Sequence, residues 1–331
     1  MAFLKIGKYS IHYEWEGSQG EAMAFINGLT QSTTLWAVYR EKLVAQGYCV
    51  LTYDMLGQGE SSKPVLGIGF EDHANCFIRL LDHLGITKCH IAGISFGGTV
   101  ALKTAILYPE RVETLIPMST FAEMTPQLEH LGSAFYFAIT QAGFPLVQRL
   151  LLPMNVSSEW LARNKDVLPE LVRRGYATND PYAIQNLIES FAHFKSFTSE
   201  LEKIICPTLI LNGEFDYLTP RVCHEVLRRG IRNSRLMIIP RGYHAFTLEN
   251  PDLVVRVING FVRTVKEGKW QGDQSVWLAS EDPVSEVLAC RIVGDHMRAI
   301  PIPTGAAQEP LQEWVVPLEG MVLNEIQVPF P

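Results

Sequence analysis

Apolar and polar positions alternate along residues 9–15 (Tyr-Ser-Ile-His-Tyr-Glu-Trp), which predicts a half-exposed antiparallel strand. Past the turn Gly17-Ser18-Gln19-Gly20 the pattern changes. Residues 22–26 are almost wholly apolar, as in a strand buried on both faces. Helical spacing takes over at residues 36–46 and stops at Gly47. The two periods then keep exchanging. Buried strands are expected at residues 48–53, 88–92, 114–118, 208–211 and 235–239, and helices at 70–84, 99–108, 221–229 and 251–266. Strands separated by helices at this interval predict βαβ units and a mostly parallel sheet.

Between residues 121 and 201 the rhythm breaks. The stretch reads as helical, without a strand, and is rich in large apolar side chains: Phe135, Tyr136, Phe137, Phe144, Leu150, Leu151, Trp160, Phe191, Phe194 and Phe197. An insertion of about 80 residues between two strands is too long for a plain loop, so a helical cap, or lid, is expected there. The expected organisation is a core from residues 1–120 and 202–267, the cap from 121–201, and a small β-rich extension from 268–331. Short extended segments are expected in the extension near residues 275–279, 287–293, 296–302 and 313–318. Seven prolines between Pro283 and Pro331 disfavour long helices there. If exposed, Trp277, Trp314 and Phe330 would make the extension a candidate oligomerisation arm.

The chemistry centres on Gly93-Ile94-Ser95-Phe96-Gly97-Gly98, set between an expected strand and an expected helix. Strand, tight turn and helix around G-x-S-x-G form a nucleophile elbow. The glycines allow the bend that lifts the serine clear of the sheet, and the helix N-terminus directs free N–H groups at a developing anion. Serine needs a base, and the base needs a group to fix its tautomer. Asp216 follows one buried strand and His244 the next, so both are expected at the sheet edge where Ser95 lies. Glu214 is the nearest rival acid. The eight other histidines, His12, His73, His83, His90, His130, His193, His224 and His296, have no matching acid after a neighbouring strand on this reading. Asp54, in Asp54-Met55-Leu56-Gly57-Gln58-Gly59, is expected to brace a tight loop.

In these features the chain resembles an α/β-hydrolase of the abhydrolase-1 superfamily over roughly residues 8–265. The matching motifs are the elbow, D-x-x-G-x-G-x-S at residues 54–61, N-G-x-x-D at 212–216 and G-x-H at 242–244. The order Ser, Asp, His is also that of the family. The resemblance implies an oxyanion hole built from the N–H of Phe96, after the nucleophile, and of Leu29, after the third strand. It implies no metal and no cofactor. Many relatives carry His-Gly where this chain has Asn27-Gly28, a pair that resembles bacterial 3-hydroxyacyl transferases acting on acyl-carrier-protein substrates. Serine at the elbow, where haloalkane dehalogenases and epoxide hydrolases have aspartate, points to acyl transfer.

Composition narrows the partners. The 47% of apolar residues suffices for a large core, and a net charge of −7 without a basic stripe disfavours nucleic acid. No run approaches the roughly 18 apolar residues of a membrane span, and no signal peptide is apparent at the start. Six cysteines without C-x-x-C spacing suggest reduced thiols and a cytoplasmic setting. The expectation is a serine esterase acting on a small acyl ester through an acyl-enzyme. The alternatives are an acyltransferase or thioesterase with the same triad, a cofactor-free perhydrolase or haloperoxidase-like enzyme, and a non-enzymatic ligand-binding scaffold.

Overall fold

The computed structural model describes residues 2–65, 67–285 and 287–292. Its spine is one sheet of ten strands in the order β1-β2-β4-β3-β5-β6-β7-β8-β9-β10. Strands β1 (Ala2–Ile6) and β2 (Tyr9–Glu16) pair antiparallel, and β2 runs antiparallel to β4 (Cys49–Tyr53). From β4 through β3 (Ala22–Ile26), β5 (Cys89–Ile94), β6 (Val112–Met118), β7 (Thr208–Gly213), β8 (Ser234–Ile239) and β9 (Val276–Ala279) every neighbour is parallel. The alternating sequence falls on β2, near the edge, and the unbroken apolar runs fall on the parallel strands, where both faces are covered.

Side chains of one strand feed two cores. On β3, Ala24 and Ile26 join the cluster beneath α2 (Phe70–His83) and α3 (Phe96–Leu107), whereas Met23 and Phe25 join Trp36 and helices α1 (Ala37–Val44) and α11 (Pro251–Lys266) on the opposite face. Helix α11 shows the sequence logic. Val254, Val257, Ile258, Phe261 and Val262 recur at helical spacing and are buried, and each is worth about 1.5–3 kcal/mol of burial. Pro251 occupies its first position, where the missing N–H costs nothing.

Helices α4 (Pro126–Ala142), α5 (Phe144–Asn155), α6 (Ser158–Arg163), α7 (Leu168–Thr178) and α8 (Pro181–Glu189) lie between β6 and β7 in the chain. The described part of the C-terminal stretch extends the main sheet instead of standing apart from it. Strand β9 adds parallel to β8, and β10 (Ala289–Ile292) adds antiparallel to β9. Trp277 is half-buried and lies under the Arg235 guanidinium, 4.9 Å from its ring centroid, so it is not a bare aromatic. The segments expected at residues 296–302 and 313–318, with Trp314 and Phe330, lie outside the described residues. All six cysteines are free, and among the described residues no helix is long and apolar enough to cross a membrane.

Candidate active site

Ser95 sits between β5 and α3 with φ 54° and ψ −121°, a conformation that costs a non-glycine residue about 1–3 kcal/mol. Close packing holds it there. A Cβ on Gly97 would run into the carbonyl oxygens of Ile26 and Asn27, and one on Gly93 into that of Gly97. Helix α3 therefore starts against the end of β3, and Ser95 takes up the bend. Its N–H donates to Met118 O at 2.9 Å, and its carbonyl accepts from the Thr120 hydroxyl at 2.8 Å.

Asp216 follows β7 and His244 follows β8. The two loops are stitched together, with Glu214 N–H on Ile239 O and Phe215 N–H on Gly242 O. His244 Nδ1 lies 3.0 Å from both carboxylate oxygens of Asp216. Leu218 and Thr219 N–H donate to Asp216 Oδ1, at 3.0 and 2.9 Å, and the Thr219 hydroxyl donates to Oδ2 at 2.8 Å. Burial by itself would raise this carboxyl. The charge and hydrogen bond of His244, with the Thr219 N–H, outweigh burial and hold it below the usual carboxylate range. The ring is thus kept with its proton on Nδ1, and His244 and Ser95 line the same cavity. Ser95 Oγ has no hydrogen bond among the described residues, and so none to His244.

That cavity measures about 110 Å³. Gly28, Leu29, Ser95 and His244 line it, together with the apolar Phe121, Met124, Leu128, Leu131, Phe135, Leu151 and Phe191. Of the aromatics noted in the helical stretch, Phe135 and Phe191 reach it, whereas Phe144 and Phe197 are packed inside and Phe137 is exposed. The helices are tied to the histidine loop: Ala245 N–H donates to Asn155 O, and Glu249 accepts from the N–H groups of both Ser157 and Tyr243.

Beside Ser95 two backbone donors, Leu29 and Phe96 N–H, are without partners among the described residues. The Gln58 side chain orients the first. Its Nε2 donates to Gly28 O at 2.6 Å and to Leu29 O at 3.0 Å. A trans peptide unit is planar, so drawing Gly28 O towards Gln58 turns the Leu29 N–H the opposite way. The neighbouring Gly28 N–H is taken by Gln31 Oε1 at 2.7 Å. Asn27, in place of the His of many relatives, is fully buried and joins Trp36 Nε1 to Tyr53 O and Asp54.

Several supporting residues had no sequence signal. Ser119 and Thr120 follow β6. The Ser119 hydroxyl donates to His244 O at 2.9 Å, Thr120 Oγ1 holds Ser95 O, and Thr120 N–H donates to His224 Nε2 at 3.0 Å. Burial pushes His224 down to about 4, so it is neutral and able to accept. Two adjacent residues thus anchor the backbones of Ser95 and His244.

One of the eight other histidines departs from expectation. His12 does have an acid after a neighbouring strand: its Nδ1 lies 2.9 Å from Asp54 Oδ2, since β2 pairs with β4. Neither residue lines the cavity, and His12 Nε2 is buried without a partner among the described residues. Asp54 also accepts from Thr33 and Glu60 N–H, so it braces the loops as expected. Glu214 accepts Arg241 N–H at 2.7 Å and does not hold His244.

Residues 21–251 match a family described as alpha/beta hydrolase fold. The chain is 28% identical over 262 residues to RutD of Stutzerimonas stutzeri (strain A1501), whose name gives it as a carbamate hydrolase; this spans 73% of the chain and 92% of that protein. It is 28% identical over 272 residues to the 2-hydroxy-6-oxononadienedioate/2-hydroxy-6-oxononatrienedioate hydrolase of Paraburkholderia xenovorans (strain LB400), covering 77% and 91% of the two. The structure of a thermophilic esterase from Thermogutta terrifontis superposes with a TM-score of 0.72 at 26% identity, covering 80% of this chain and 99% of that one.

Proposed function

The chain belongs to the alpha/beta hydrolase fold family, and from that premise we propose that it is a serine hydrolase cleaving carboxylic esters through an acyl-enzyme. Ser95 Oγ attacks the ester carbonyl carbon as its proton passes to His244 Nε2. Asp216 holds the Nδ1 proton and stabilises the imidazolium. Leu29 and Phe96 N–H receive the oxyanion, and loss of one such donor costs about 10²–10³ in rate. The tetrahedral adduct collapses, the C–O bond to the leaving alcohol breaks, and that oxygen takes the proton from Nε2. Water then gives its proton to the same nitrogen and attacks the acyl carbon; the bond to Ser95 Oγ breaks, Oγ takes that proton back from Nε2, and the acid leaves.

The observation that carries this reading is the Asp216–His244 pair opening onto the same cavity as a strained serine flanked by two unpartnered backbone donors. The names of the similar proteins, a carbamate hydrolase, a dienedioate hydrolase and an esterase, support hydrolysis at a carbonyl. The test is a fluorophosphonate probe with mass mapping, together with kinetics on p-nitrophenyl esters. Label on Ser95, and a fall of about 10⁶ in kcat for Ser95→Ala, are expected. Unlabelled Ser95, or a slight loss, would remove the assignment. Adding alcohol acceptors to the same assay separates hydrolysis from acyl transfer.

A further inference from the structure

One of the similar proteins is named for a dienedioate, which carries two carboxylates. The cavity of this chain is built otherwise. Among the described residues seventeen line it, and none of these is Lys, Arg, Asp or Glu; His244, already bonded to Asp216, is the one titratable side chain among them. Its other polar lining residues are neutral: Thr30, Gln31, Ser95, Asn155 and Thr219. Gln31 is held in one orientation, because its Oε1 accepts the Gly28 N–H, so Nε2 remains a donor without a partner among the described residues. Such groups can bond a carbonyl or ether oxygen. They cannot neutralise a carboxylate, and an unpaired ion in an apolar cavity is strongly disfavoured. Size sets a second limit. At about 110 Å³ the cavity is of the order of one that encloses benzene, roughly 150 Å³.

We propose that the site takes esters whose enclosed acyl group is short, apolar and uncharged, about four to six carbons, and rejects acyl groups that end in a carboxylate. This rests on the serine-hydrolase reading, which it narrows to a substrate class distinct from that named for the dienedioate hydrolase.

The test uses ethyl pentanoate and monoethyl glutarate, matched in acyl length and differing in one terminal carboxylate. Hydrolysis is followed by pH-stat, and binding to Ser95→Ala by saturation-transfer NMR. The neutral ester should be favoured by about 10²-fold or more in kcat/KM and should be the one that binds. Leu131 is a half-buried wall position on α4. Leu131→Arg should move the ratio about tenfold towards the glutarate ester by supplying the missing cation. Rates within about threefold of each other, or equal binding, would overturn the proposal. So would failure of ethyl pentanoate to bind. If neither ester is hydrolysed while only ethyl pentanoate binds Ser95→Ala, the reaction is misassigned and the selectivity stands.

Discussion

Replacing Asp216 by Asn tests the candidate site through a single proton. Oδ1 of Asp216 accepts two backbone N–H groups, from Leu218 and Thr219, and neither can turn away. The carboxamide oxygen of Asn must therefore occupy that position, which puts its NH2 at the site of Oδ2. There the Thr219 hydroxyl can rotate and accept, and His244 Nδ1, 3.0 Å from both positions, now faces a donor on one side and, on the other, an amide oxygen that already takes two N–H groups. The balance favours the tautomer that accepts from the new NH2 through Nδ1 and carries its proton on Nε2, where it can no longer take the proton of Ser95. The expected loss is about 10⁴ in kcat, or about 5 kcal/mol in barrier. Folding should suffer much less, by about 1–2 kcal/mol, because the network stays bonded while one charged partner becomes neutral. Initial rates on p-nitrophenyl pentanoate, with urea denaturation of the same preparation, separate the two effects. Glu214→Gln is the control: its carboxylate meets Arg241 N–H instead of the imidazole, so kcat should stay within about twofold. A folded Asp216→Asn that keeps more than about a tenth of the activity would refute the reasoning.

Gln58→Leu keeps the bulk and removes the Nε2 bonds to Gly28 O and Leu29 O, leaving Gly28 O only the 3.2 Å bond from Gln31 N–H and loosening that peptide; kcat should fall about 10- to 10²-fold with KM little changed, read by steady-state kinetics. Gly97→Ala should lower the melting temperature sharply or prevent folding, since its Cβ meets two backbone carbonyls of the β3 end that cannot yield. His73 is buried on α2 with both ring nitrogens unpartnered among the described residues, and burial pushes its pKa down to about 4. The unfolded chain binds a proton there below about pH 6.5 while the folded chain refuses it, so stability falls as pH drops from about 6.5 to about 4. His73→Leu should abolish that share, giving a gain of about 2 kcal/mol over the parent at pH 4.5 and little change at pH 7, by urea denaturation. An unchanged pH slope would count against the neutral buried ring.

Much of the architecture was legible because its causes are local. A period of two or of 3.6, a run of apolar residues and a stop at Gly or Pro depend on neighbours in the chain, and β3, β4, α2 and α11 fell within a few residues of expectation. The Gly-Ile-Ser-Phe-Gly turn is local in the same way, since its steric demand is met or failed within a few residues. Partnership across the fold had no such signal. His12 and His244 each face an aspartate, and the pairing of β2 with β4 is what gives His12 to Asp54, away from the cavity. Likewise Gln58 meets Gly28 and Leu29 thirty residues back only because β3 and β4 lie side by side. The same holds for the uncharged cavity wall, which draws on helices inserted between β6 and β7 and on a loop that follows β3. Sequence by itself determined the elements and the kinds of reactive groups, because those follow from short-range sterics and burial. Strand order decided which donors stay free, which acid meets which imidazole and what faces a substrate, because hydrogen bonds and contacts form by distance in space.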